Sequence, residues 1–268
     1  MSRLAILGGG NLGRALALGW VSAGRLPASD IHLTRRQGDK LSDLADAGYE
    51  TGADNLAAVR GSELVILAVQ PQQLDALLAE IAGELDAGRH RLVSVVSGVS
   101  TSHIRAAVGD AVPLVLAMPN TAVAIGESMT CLSAGPGSEK ALSEAQGLFE
   151  LVGKTLVIAE DMMGPATALC ACGVAFFLRC VRAASQGGIE IGFHPEEALL
   201  LAGQTARGAA SLTLRENAHP EGEIDRVTTP RGCTIAGLNE MEHRGLSSAL
   251  IKGLIVSARA AEELYGDR

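Results

Sequence analysis

The sequence predicts an α/β protein: a doubly wound parallel sheet in the first part of the chain, followed by an all-helical domain. Three observations point there. A short apolar run, Leu4-Ala5-Ile6-Leu7, ends in the turn Gly8-Gly9-Gly10-Asn11-Leu12-Gly13, and an Ala- and Leu-rich helical stretch follows from Arg14 to about Ala23. Strand-like and helix-like segments then alternate, the pattern of parallel strands joined by crossover helices. Near Ala159-Glu160-Asp161 the alternation stops, and no later run reads as a strand.

The turn is G-x-G-x-x-G placed between a strand and a helix, the setting that gives the motif its meaning as a Rossmann dinucleotide fingerprint. Gly8 permits the tight turn, Gly10 lets the backbone approach a pyrophosphate, and Gly13 lets the helix pack on the strand. Asn11, Leu12 and Gly13 open that helix, whose unpaired N–H groups and partial positive charge receive phosphate. The competing reading is a purely structural glycine turn.

Ile31-His32-Leu33-Thr34 is a short strand. Residues 64–69, Leu-Val-Ile-Leu-Ala-Val, are continuously apolar, as a strand covered on both faces requires. Residues 72–85 carry helical spacing through Leu74, Leu77, Leu78, Ile81 and Leu85. Further strands are expected at 92–96, 114–117, 129–133 and 155–158. The domain boundary is placed at 159, giving a coenzyme domain over 1–159 and a helical domain over 160–268. In the second, residues 165–185 are nearly all apolar, with Arg179 and Arg182 the only charges, and helices are expected at 196–214, 232–242 and 246–264. A helix apolar on almost every face must be covered on every face. So small a domain has little mass for that, which predicts cover from a second copy in a homodimer.

Composition narrows the partners. The 268 residues carry a net charge of −8 and no basic run, and aromatics are only 3% with one Trp, so neither phosphate tracking nor base stacking on nucleic acid is expected. The longest uncharged stretch, 162–178, falls short of the ~20 residues that span a bilayer and contains Gly164 and Pro165; it is read as buried protein, not membrane. Five cysteines without C-x-x-C, and a chain that goes straight into its first strand, predict free thiols in the cytoplasm. The six histidines show no paired ligand spacing, so no metal is expected.

Coenzyme choice is read at the end of the second strand. NAD-preferring domains place an acid there for the ribose 2′-OH. Here Thr34-Arg35-Arg36 follow, with no acid before Asp39, and guanidinium donors match a 2′-phosphate. NADPH is expected, with NADH the weaker coenzyme.

Several stretches resemble the pyrroline-5-carboxylate reductase family. Ala68-Val69-Gln70-Pro71-Gln72 is similar to its A-V-K-P-Q turn, and Met118-Pro119-Asn120-Thr121 with Gly126 to its M-P-N-T segment. Gln204-Thr205 with Gly208-Ala209-Ala210 resembles its Q-T-x-x-G-A-A helix, and residues 228–238, Thr-Thr-Pro-Arg-Gly-Cys-Thr-Ile-Ala-Gly-Leu, its S-P-G-G-T-T-I-x-G-L signature. The likeness runs in order over essentially the whole chain. The departures are Gln70 for the usual lysine, Leu116 for an arginine and Ala122 for a proline around M-P-N-T, Cys170-Ala171-Cys172-Gly173-Val174-Ala175-Phe176 for S-G-S-G-P-A-Y, and Thr229 and Arg231 for the first Ser and Gly of the signature.

The resemblance implies a Rossmann domain plus a helical domain interleaved with a second subunit, in dimers that often build decamers of five. It implies NADPH-dependent reduction of 1-pyrroline-5-carboxylate to L-proline, the last step of proline biosynthesis. Thr229, Gly232, Cys233 and Thr234 would then hold the substrate, with backbone N–H groups at a helix start receiving its carboxylate. Gly232 would keep that approach open, and the Thr234 hydroxyl would be the proton donor to the imine nitrogen; the alternative for Thr234 is helix capping. Val69, Gln70, Pro71 and Asn120 would sit at the carboxyl edge of the sheet beside the coenzyme. Two other readings stay open: reduction of a related cyclic imine such as a piperideine carboxylate, and a non-catalytic dinucleotide-binding regulator. A lysine-dependent hydroxyacid or 6-phosphogluconate-type dehydrogenase is disfavoured, because Lys252 is the only lysine beyond 159 and lacks the G-x-x-x-K context.

Overall fold

The computed structural model describes residues 3–266. Eight strands, β1 Leu4–Leu7, β2 Ile31–Thr34, β3 Glu50–Gly52, β4 Leu64–Leu67, β5 Arg91–Ser94, β6 Leu114–Met118, β7 Ser128–Ala134 and β8 Gly153–Val157, form one sheet in the order β3-β2-β1-β4-β5-β6-β7-β8. The helices between them are α1 Asn11–Ser22, α2 Ser42–Asp46, α3 Asn55–Arg60, α4 Leu74–Ile81, α5 Thr101–Val108 and α6 Glu139–Phe149.

The apolar strand runs follow from burial on both faces. Along β1, Leu4 and Ile6 join one core cluster while Ala5 and Leu7 join the other; along β6, Val115 and Ala117 face the first and Leu114, Leu116 and Met118 the second. Side chains alternate across a strand, so a sheet covered on both sides needs an apolar residue at every position. Trp20 of α1 locks the first side: its indole N–H donates to the Leu148 carbonyl at 3.0 Å and its ring meets Phe149 edge-on at 5.7 Å.

The sheet departs from the all-parallel expectation at one pair: β6 and β7 are antiparallel. Residues 119–127, which join them, are shorter than the roughly dozen residues a parallel crossover takes. They form a tight one-sided turn of 3₁₀ helix, Thr121–Ile125, closed by Gly126 at φ 71°.

The chain divides into two compact units, residues 1–171 with 257–268, and residues 172–256. The division falls later than 159 because α7 Met163–Ala166 packs on the sheet, with Met163 and Ala166 in its second core cluster, and because the end of the last helix belongs to the first unit. A π-helical stretch, Thr167–Cys172, leads to α8 Gly173–Glu190. The second unit then contains α9 Pro195–Thr213, α10 Pro220–Val227, α11 Cys233–His243 and most of the first part of α12 Leu246–Gly266. α8 and α9 form a helical hairpin; its corner passes through Gly192 at φ 113°, and Gly188 admits Ala198 so closely that a Cβ would come within 3.0 Å of that methyl.

Candidate active site

In the first unit, a cleft of about 430 Å³ opens at the carboxyl ends of β1, β2 and β4. This is where the strand order reverses direction, with β1 flanked by β2 on one side and β4 on the other. Gly8, Gly10, Thr34, Arg35, Arg36, Val69 and Gln70, all expected from the sequence, line it. A second cavity of about 340 Å³ lies at the opposite edge, against Leu4, Leu64 and Arg91, away from these residues.

Each motif glycine has its own reason. Gly8 has φ 121°, and a Cβ there would overlap the Ala68 carbonyl; a Cβ on Gly13 would overlap the Gly8 carbonyl and sit 3.2 Å from Ile6. A Cβ on Gly10 would meet nothing within 4 Å. Packing therefore requires Gly8 and Gly13, while the open space above Gly10 is the kind of cradle a pyrophosphate needs. Gly10 is also the N-cap of α1 and brings no side-chain bond, and no acid stands in the first turn, so the N–H groups opened by Asn11, Leu12 and Gly13 keep their attraction for an anion. Gly8 and Gly9 N–H groups both donate to the Thr34 carbonyl, at 3.1 and 2.7 Å, which ties the loop to the end of β2.

Arg35 donates from Nη1 to the Gly9 carbonyl at 3.1 Å, and among the described residues neither it nor Arg36 pairs with a carboxylate. The donor set fits a 2′-phosphate. Sequence reasoning missed four polar neighbours, Gln37, Asn55, Gln73 and Glu80, which also line the cleft. Thr34 donates its hydroxyl to Asn55 Oδ1 at 2.6 Å, and Asn55 Nδ2 donates to Glu80 Oε2 at 2.9 Å. Pro71 begins the turn after Gln70, with Gln70 itself at the N-cap position.

Asn120 stands apart from this cleft. Its Oδ1 accepts from the Ala122 N–H at 3.0 Å and its Nδ2 donates to the Cys170 carbonyl at 3.1 Å, so one bond at each end of the side chain holds local structure. Beside it, Cys131 and Cys170 bring their sulfurs to 3.7 Å. The Cys131 thiol donates to Cys170, which lowers the Cys170 thiol to about 7 and pushes Cys131 well up.

In the second unit, Thr229, Pro230 and Arg231 form a turn that delivers Gly232 as N-cap of α11, with Cys233 and Thr234 as its first two residues. Gly232 donates its N–H to the Thr229 carbonyl at 2.9 Å. A Cβ on Gly232 would overlap Thr229 Oγ1, so the turn itself requires the glycine before any ligand is considered. Thr234 is not the cap: Gly232 holds that position, and it makes no side-chain cap bond. The N–H groups at the start of α11 are therefore not met by a capping side chain, and the Thr234 hydroxyl is half-buried beside them.

A family model described as pyrroline-5-carboxylate reductase dimerisation matches residues 160–264, and one described as NADP oxidoreductase, coenzyme F420-dependent, matches residues 3–98. Pyrroline-5-carboxylate reductase 1 of Dictyostelium discoideum is 47% identical over 98% of this chain, which spans only 50% of that relative's length. Pyrroline-5-carboxylate reductase 2 of the same organism is 44% identical over 97% of the chain and 92% of the relative. The chain belongs to the pyrroline-5-carboxylate reductase family. A solved pyrroline-5-carboxylate reductase from Coxiella burnetii is 29% identical with a TM-score of 0.87, covering 98% of each chain. The Plasmodium falciparum pyrroline carboxylate reductase solved with NADP bound shares the fold at a TM-score of 0.90 and 20% identity, over 99% of this chain and 98% of its own.

Within that family the departures acquire physical reasons. Leu116 is 2% exposed inside the second core cluster, a place where an arginine would be a buried charge and leucine is at home. Ala122 supplies the N–H that Asn120 caps, which a proline lacks. Arg231 takes the left-handed φ of 60° that the family's glycine adopts without strain.

Proposed function

We propose that this chain is an NADPH-dependent reductase that converts 1-pyrroline-5-carboxylate to L-proline. The observation that carries the reading is the cleft: an open glycine cradle at a helix N-terminus, with two uncompensated arginines at the end of β2. When bound there, NADPH supplies the hydride. Gly8, Gly10 and the first N–H groups of α1 hold the pyrophosphate, Arg35 and Arg36 hold the 2′-phosphate, and Val69 and Gln70 border the ribose side. The substrate falls to the turn at Thr229–Thr234. N–H groups of Gly232, Cys233 and Thr234 receive its carboxylate, and Thr234 Oγ1 donates a hydrogen bond to the ring nitrogen. A protonated C=N is the better hydride acceptor, so a donor held at that nitrogen favours the reaction.

A second copy of the chain completes the protein in this reading. The helix running from Glu160 to Glu190 is long and apolar enough to cross a membrane by length and composition, with a mean hydropathy of 1.6 over its richest window, yet only 22% of that window is buried within one chain. Leu169, Phe177 and Leu178 are 57%, 59% and 62% exposed. Two arginines within the helix and the match to a dimerisation model support cover by a twin subunit in a homodimer; assembly of five such dimers into a decamer in the cytoplasm is part of the proposal.

The test is oxidation of NADPH with 1-pyrroline-5-carboxylate, run beside NADH and beside the six-membered imine analogue. Proline formation with NADPH preferred is the expected result. Preference for the six-membered ring would move the substrate assignment, and coenzyme binding without turnover of either imine would favour the regulator.

A further inference from the structure

The carboxylate of Glu80 stands in a cleft that otherwise suits an anion. Helix α4 turns one face to that cleft: Gln73, Ala76, Leu77 and Glu80 line it at helical spacing. Glu80 is also the end of a directed chain. Asn55 Oδ1 can only accept, so the 2.6 Å contact is donated by the Thr34 hydroxyl; Glu80 can only accept, so the 2.9 Å contact is donated by Asn55 Nδ2. The direction of the whole relay is thus set by the carboxylate at its end. Thr34 itself is buried, so the relay anchors Asn55, and the exposed Glu80 carboxylate keeps its second oxygen for a ligand.

The end of β2 therefore has two opposed halves. Arg35 and Arg36 present donors and positive charge, matched to a phosphate. Glu80 presents an acceptor and negative charge, matched to ribose hydroxyls, as the acid of an NAD-preferring domain is. We infer that Glu80 is a specificity-determining residue whose charge, held in the cleft by Asn55, holds down the preference for NADPH and keeps NADH usable. The inference rests on the dinucleotide reading of the cleft.

The charge is isolated by Glu80→Gln, which keeps an acceptor for Asn55 Nδ2 and removes the repulsion of the 2′-phosphate. Calorimetric titration of wild type and variant with NADPH and with NADH, without substrate, reads it directly. In Glu80→Gln the NADPH Kd should fall about fivefold to tenfold while the NADH Kd stays within about twofold, and the gain should shrink at high salt as exposed charges are screened. Glu80→Asp, which restores the charge, should return the ratio toward wild type. An unchanged ratio of the two Kd values, or a looser NADPH complex in Glu80→Gln, would overturn the inference while leaving the dinucleotide site standing. A wild-type chain that bound neither coenzyme would overturn the reading of the cleft, and this inference with it.

Discussion

The two units differ in where they find their cover. Both core clusters belong to the first unit; neither contains a residue from 172–256. The sheet unit closes on itself, down to fully buried Trp20 and Phe149, whereas in the helical unit Leu199, Leu200 and Leu201 in succession stand 55%, 71% and 48% exposed. Successive helix positions point about 100° apart, so these three leucines leave more than one side of the helix apolar and open, which marks an interaction surface. The difference teaches that the cleft lies within what one chain covers by itself, while the helical unit's apolar surface calls for a partner.

The largest way to break this contrast is to charge the uncovered helix. Phe177→Glu combined with Leu178→Glu should give a single-chain mass by light scattering and lose turnover by more than about a hundredfold, while NADPH affinity changes little, since a buried like-charge pair is not tolerated at an apolar interface. Retention of the dimer would show that these positions face solvent in the assembly. Next come the motif glycines. Gly8→Ala should destabilise by several kcal/mol in denaturant titration, because both φ and the Ala68 carbonyl oppose a side chain. Gly10→Ala has open space and should keep wild-type stability, yet bind NADPH at least tenfold more weakly; equal coenzyme binding in Gly10→Ala would mean that phosphate lies elsewhere.

Smaller effects sharpen the picture at the remaining departures. Arg231→Gly relieves a left-handed residue and should stabilise the chain by about 1 kcal/mol in the same titration, with no change expected if the turn is loose. The Cys170 thiol, lowered to about 7 by the hydrogen bond from Cys131, should be alkylated at a rate that rises to half its maximum near pH 7. Cys131→Ala removes the donor that favours the thiolate, so that midpoint should move up; a midpoint that stays put would assign the shift to another cause.

The sequence was most legible where burial leaves a periodic trace. Strands β1, β4 and β6 lie in the middle of the sheet and are covered twice, so they read as unbroken apolar runs, and β5, with Ser94 among its apolar residues, nearly so. β3 was invisible because it is an edge strand of Glu50-Thr51-Gly52, three residues with no apolar face. The antiparallel β7 was mistaken for one more parallel strand because its direction is decided by the length of residues 119–127, not by its composition. In the cleft, Gly8, Gly10 and Gly13 announced themselves through spacing. Asn55 and Glu80 did not: each is an ordinary polar residue on a short helix, brought to Thr34 only by the packing of α3 and α4 beside the sheet. The two local partners of Asn120, Ala122 and Cys170, were equally invisible, since they come together only through the fold.

The division of labour between the units meets its most direct test in Thr234→Ala, measured for NADPH binding and for reduction of 1-pyrroline-5-carboxylate on the same preparation. The coenzyme Kd should remain within about twofold of wild type while kcat/KM for the imine falls by about 10²-fold, the low end for a positioned proton donor. A variant that folds, binds NADPH and still turns over within threefold of wild type would contradict the placement of the substrate at this turn.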